Sequence, residues 1–185
     1  FTPHNVLEMH SAYGHTYFEI KDMDGDGMED FLVANGDNVD SDPYNTLKNY
    51  HGVRIYKNYG DYNFVEDYFY PMYGAYRAQA EDFDLDGDLD IAAIAFFPDF
   101  SLDEPESFIY LENNDGVFTP FSSAQANQGR WMTMDVGDID GDGLLDIALG
   151  ASYVPLGMSN YMEKSQEMAA NGPGAMILQI GRAHV

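Results

Sequence analysis

Apolar residues along this chain come in short runs, each set off by glycine, asparagine or aspartate. "FLVAN" starts at Phe31, "IAAIA" at Ile91 and "IALGA" at Ile147. Runs of this length between turn signals read as strands. After a variable stretch each is followed by a second strand-like run: "GVRIYKN" at 52–58, "SFIYLEN" at 107–113 and "GAMILQ" at 174–179. A tight turn comes next, "YGDY" at 59–62 or "NDG" at 114–116, and a further strand begins at Phe64 or Phe118. The best helical candidate is "SNYMEKSQEMAAN" at 159–171, a short helix inside a loop.

Between the first and second strand of each unit lies the same polar segment. Asp22-Met-Asp-Gly-Asp-Gly-Met-Glu-Asp30, Asp82-Phe-Asp-Leu-Asp-Gly-Asp-Leu-Asp90 and Asp138-Ile-Asp-Gly-Asp-Gly-Leu-Leu-Asp146 all read D-x-D-x-D-G-x-x-D, with first residues 60 and then 56 positions apart. A glycine stands upstream of each, at Gly14, Gly74 and Gly129. "FTP" occurs at 118–120 and again at 1–3, at nearly the same distance before the next loop, so the chain reads as opening on the last strand of a preceding repeat. Strand, Asp loop, strand, variable loop, strand, turn, strand is the pattern of a β-propeller blade. The expected fold is all-β: a partial β-propeller of four-stranded antiparallel blades. Residues 1–12 would be the strand of a preceding blade, 13–75 and 76–130 two blades, and 131–179 an incomplete one.

Carboxylates this crowded repel unless something neutralises them. Positions 1, 3, 5 and 9 of a tight loop can point at one centre, and glycine at position 6 permits the sharp turn. Hard oxygens suit Ca²⁺, which accepts six to eight of them, with position 7 offering a backbone carbonyl. The candidate ligands are Asp22, Asp24, Asp26, Met28 and Asp30; Asp82, Asp84, Asp86, Asp88 and Asp90; and Asp138, Asp140, Asp142, Leu144 and Asp146. Mg²⁺ fits less well, because it keeps several waters. An EF-hand would need Glu at position 12 and flanking helices, whereas Val33, Ala93 and Leu149 stand there inside apolar runs. An acidic turn without metal is the alternative for any single loop; three in one register weigh against it.

The charge changes the picture further. Acidic residues number 32 and basic ones 8, for a net charge of −24. This argues against nucleic acid and anionic membrane surfaces as partners, since both need a basic patch, and it favours cations. With no Cys, disulfides, thiol catalysis and thiolate metal sites are excluded. No apolar run is long enough for a transmembrane helix, so no membrane insertion is expected in this segment. Residues 180–185, "IGRAHV", match the in-frame translation of a common sequencing adapter and read as a scar.

The loops, the glycine-led strand before them and the apolar strand after them resemble the calcium-binding FG-GAP/VCBS-type repeats, across nearly all of residues 1–179. The resemblance implies a seven-bladed propeller like that of integrin alpha chains and many secreted bacterial proteins, here as a truncated slice. It also implies about three Ca²⁺ ions, one per loop, held by the aspartates named above. The Gly-Ala-Pro signature is only approached, at Gly150-Ala151, which places the chain nearer the bacterial branch. The leading function is then a non-catalytic, extracellular or cell-surface module for recognition, adhesion or scaffolding. The alternative is part of a secreted, lyase-like propeller that degrades polysaccharide.

Function would sit opposite the Asp loops, on the variable loops at 35–51, 96–106 and 151–173. These carry Asp37, Asp40, Asp42, Tyr44, Tyr50 and His51; Phe96, Phe97, Phe100, Asp103 and Glu104; and Tyr153, Tyr161, Glu163 and Lys164. Aromatics beside carboxylates suit a glycan or protein ligand, and packing of the loops onto the blades is the competing role. Trp131 opens an inner strand and reads as core. Arg54, Arg77 and Arg130 are expected to pair with the acidic loops. No His spacing, G-x-S-x-G elbow or P-loop suggests another chemistry.

Overall fold

A computed structural model describes residues 1–36, 46–153 and 162–180. Asp37, Asp40, Asp42, Tyr44 and Tyr161 of the variable loops, and residues 181–185 of the expected scar, lie outside the described residues. The chain forms three antiparallel sheets. The first has β1 (His15–Lys21), β2 (Asp30–Asn35), β3 (Gly52–Asn58) and β4 (Phe64–Pro71) in sequential order. The second repeats this with β5 (Ala75–Glu81), β6 (Asp90–Ala95), β7 (Phe108–Asn114) and β8 (Val117–Phe121). The third has β9 (Trp131–Gly137), β10 (Asp146–Ala151) and β11 (Ala175–Gln179), with the helix α1 (Met162–Asn171) in the connection before β11. These are three blades of a partial β-propeller.

The register explains why the apolar runs lie where they do. β2, β6 and β10 have a strand on each side; β6 packs into a cluster on each of its faces and β2 packs against β5, and nearly every position of β2 and all of β6 are buried. Leu32, Val53 and Ile55 of the first blade close over Ala78, Ala80, Ile91 and Leu111 of the second. The alanines let the inner strands approach, and β1 lies against β5. Phe83, Ile94 and Phe108 meet Trp131, Met134, Ile147 and Leu149 across the second interface. Trp131 is core, as its place in the pattern predicts, and its indole N–H donates to the Ala126 carbonyl (2.7 Å). Burying side chains of this size contributes about 1.5–3 kcal/mol each.

Each inner strand pair carries the same irregularity at the end away from its Asp loop. It falls between His15 and Tyr17, between Ala75 and Arg77, and between Trp131 and Thr133, opposite Gly150 and Ala151. An extra residue there bends the strand and sharpens its twist.

The strand expected over residues 1–12 is not formed. Residues 1–10 have no regular structure and Ser11–Tyr13 is a 3-10 turn. A strand needs a hydrogen-bonded neighbour, and this segment pairs with none of the three sheets. It lies against the first blade instead, where His4 stacks on Tyr62 at 4.3 Å between ring centroids.

Candidate metal centres

The Asp loops join β1 to β2, β5 to β6 and β9 to β10, so all three lie at the same end of their blades. Their internal hydrogen bonds repeat. The position-6 amide donates to the position-1 carboxylate: Gly27 to Asp22 (2.8 Å), Gly87 to Asp82 (3.2 Å) and Gly143 to Asp138 (3.0 Å). The position-5 amide donates to position 3: Asp26 to Asp24, Asp86 to Asp84 and Asp142 to Asp140, at 3.1–3.2 Å. The position-7 amides of Met28, Asp88 and Leu144 donate to Asp26, Asp86 and Asp142 at 2.8–2.9 Å. Each loop is thus held by its own carboxylates, with the glycine at position 6 in left-handed conformation.

Position 9 has a role that spacing alone does not reveal. Asp30, Asp90 and Asp146 are buried, at 1%, 0% and 3% exposure. Each accepts the amide of its loop's position 2, namely Met23, Phe83 or Ile139. Asp30 and Asp90 also accept the amide of Asn58 (2.8 Å) and of Asn113 (2.8 Å), residues near the end of the third strand, and Tyr110 donates its hydroxyl to Asp90 (2.6 Å). A buried carboxylate needs such donors. Burial nevertheless pushes Asp30 above the usual carboxylate range and Asp90 up to about 6, against the lowering effect of those bonds. Asp84 is also raised, by burial and then by the neighbouring charges of Asp86 and Asp82.

Asp22, Asp24 and Asp30 each bring an oxygen within 4.8 Å of the others; so do Asp82, Asp84 and Asp86, and Asp138, Asp140 and Asp146. Two oxygens on one Ca²⁺ can be no more than about 5.2 Å apart, so each trio fits a single cation. In the middle loop Asp82 Oδ1 is also buried with no hydrogen-bond partner among the described residues, as a ligand atom awaiting a cation would be. The trios are not identical. Position 9 belongs to the first and third, whereas in the middle loop Asp90 stands apart, bound to its own donors, and Asp86 takes the third place. Asp26 and Asp142 cap the turn rather than joining the trio. Asp88 accepts the Asp115 amide (2.7 Å) through its side chain.

The arginines do not pair with these loops. Strand register puts all three at the opposite end. Arg54 stacks on Phe69 (3.9 Å to the ring centroid), pairs with Glu66 (3.0 Å) and donates to Asn35 and to the Tyr50 carbonyl. Arg77 lies over Tyr17 and Arg130 over Phe96, whose carbonyl Arg130 also binds (3.0 Å). Flat guanidinium groups find aromatic faces and carbonyls there that a solvated carboxylate loop does not offer.

The aromatics of the second variable loop are likewise taken up in packing. Phe96, Phe97 and Phe100 are buried and form a cluster with Met168 of α1. Tyr50 stacks on Tyr13, and Tyr153 donates to the Pro173 carbonyl (2.8 Å). Asp103, Glu104 and Lys164 line an open cavity of about 350 Å³ between this loop, residues 124–128 and α1.

The FG-GAP-like repeat family matches residues 22–93 and 100–149, which take in all three Asp loops and more than half of the chain. The chain belongs to this family. No curated protein matches it. Among the described residues no helix is long and apolar enough to cross a membrane.

Proposed function

We propose that this chain is a calcium-binding β-propeller module that acts outside the cell or at its surface, in recognition, adhesion or scaffolding, without a catalytic centre of its own. The observation that carries the reading is the recurrence of an acidic trio built on positions 1 and 3, with one internal hydrogen-bond scheme, at the same end of three blades. Three ions there would offset part of the net charge of −24 where it is most crowded. Weak all-oxygen sites fill where free Ca²⁺ is near millimolar, which supports an extracellular setting. A glycan or protein ligand is expected on the face opposite the loops, where the cavity beside α1 opens. The alternative of a polysaccharide-degrading propeller would draw on basic residues in a cleft, and Arg54 and Arg130 are instead buried against aromatic rings.

Thermal melts of the whole chain in EGTA, in millimolar Ca²⁺ and in millimolar Mg²⁺ test the metal. A site filled at 100 times its Kd adds about 2.7 kcal/mol. The expected result is a clear rise in Tm with Ca²⁺ and little with Mg²⁺. No shift in a folded sample would remove the calcium role and the extracellular argument built on it.

A further inference from the structure

The strand beyond each Asp loop places one residue directly opposite position 9. In the first blade Phe31 pairs with Tyr56, so one step along Asp30 faces Lys57. In the second Ile91 pairs with Leu111, so Asp90 faces Glu112. In the third Asp146 pairs with Gln179. One structural position therefore carries a cation, an anion and a neutral amide. Two of the three reach into the loop in the same manner. Lys57 Nζ lies 3.2 Å from Asp24 Oδ2, and Gln179 Nε2 donates to Asp140 Oδ2 at 2.7 Å; Asp24 and Asp140 are both at position 3. Among the described residues no cationic or amide side chain reaches Asp82, Asp84 or Asp86 of the middle loop, and Asp82 Oδ1 is left without a partner.

We propose that the residue facing position 9 grades the three loops, so that Ca²⁺ fills the middle loop first, the third next and the first last. This rests on the reading of the loops as Ca²⁺ cages. In the first loop Lys57 already supplies a positive charge, which an incoming cation must displace or lie beside. It has somewhere to go, because Asp67 Oδ2 is 3.4 Å from the same nitrogen. Gln179 gives up one hydrogen bond but no charge. Glu112 adds a negative charge near the middle loop and opposes nothing. Near a protein surface one such charge shifts affinity by roughly three- to tenfold.

The amides of Gly27, Gly87 and Gly143 donate into their own loops and report each separately in ¹H–¹⁵N spectra of the whole chain titrated with CaCl₂. The Gly87 signal is expected to reach its midpoint at the lowest Ca²⁺, Gly143 next and Gly27 last. K57Q should lower the Gly27 midpoint by about three- to tenfold and leave Gly87 in place. D67N, which leaves Lys57 only Asp24, should raise the Gly27 midpoint, so a general loss of folding in blade one would not mimic both changes. Q179K should raise the Gly143 midpoint independently. Equal midpoints, a reversed order, or midpoints that ignore these variants would overturn the grading while leaving the calcium reading intact. Glycine signals that never move in a folded sample would overturn both.

Discussion

At the scale of single residues, the loop backbone makes the sharpest demands. Position 4 is left-handed in all three loops, at Gly25 (φ 72°), Leu85 (φ 63°) and Gly141 (φ 81°). Glycine adopts that conformation freely, whereas a side chain there costs about 1–2 kcal/mol. Leu85 is half exposed and so recovers little of this by packing. L85G is therefore expected to stabilise the chain by roughly 0.5–1 kcal/mol, after allowing for the glycine's greater freedom when unfolded. A urea denaturation midpoint checks this, and a clear loss would show that Leu85 packs on something essential. G87A should do the reverse. Gly87 has φ 103° and open space around an added Cβ, so its cost is conformational alone, about 1–2 kcal/mol by the same measurement. The glycine at position 6 can be read from the motif because it occurs in every copy. The demand at position 4 cannot, since Leu85 breaks the pattern and hides it.

At the scale of elements, each complete blade uses one asparagine to bind its loop to its hairpin. Asn58 donates its side-chain amide to the Glu29 carbonyl (2.9 Å) and accepts the Gly60 amide (2.9 Å). Asn113 does the same with the Leu89 carbonyl (3.1 Å) and the Gly116 amide (2.8 Å). N58A and N113A should each cost about 1–3 kcal/mol, because two groups lose their partners at once. Both should also lower Ca²⁺ affinity, since the neighbouring backbone amide holds position 9 in place. A variant with unchanged stability in EGTA would show that water replaces the side chain. These ties explain what could be read beforehand. The strands at 31–35, 91–95 and 147–151 show as apolar runs because their positions are buried or half-buried and all but Asn35 are apolar. The Asp loops show because their ligands are local in sequence. The repeated bulge beside Tyr17 and Arg77 leaves no mark, since it is a backbone event shared between strands. The roles of Arg54 and Arg130 need partners distant in sequence and were read in the wrong place. The expectation of a strand over residues 1–12 rests on a repeated "FTP" and its spacing to the next loop, and neither supplies a pairing partner.

At the scale of the whole molecule, the carboxylates make stability depend on pH in opposite ways with and without metal. Every acidic group with a resolved shift is raised: Glu19, Asp30, Asp84, Asp90 and Glu106, each chiefly by burial. A raised carboxyl favours the folded state below its ordinary pKa and loses that benefit as pH rises through the raised value. For Asp90, raised from 3.8 to about 6, the difference is on the order of 3 kcal/mol across that window. His15 works against this, because burial and then Arg54 lower its pKa, so protonation below about 6.5 disfavours folding. One histidine stands against five carboxyls, and relief of the repulsion behind a net charge of −24 adds to the carboxyl side. In EGTA the Tm should therefore rise as pH falls from 7 to 5. With millimolar Ca²⁺ the order reverses, because protons compete with the ion for the oxygens of the trios, Asp30 and Asp84 among them, and lost occupancy removes binding stabilisation. The two Tm curves should converge toward pH 5 and separate toward pH 7. Parallel curves would mean that the ion binds away from the buried aspartates, and a Tm that falls with acid in EGTA would mean that Asp30 and Asp90 are ionised in the folded chain without cost.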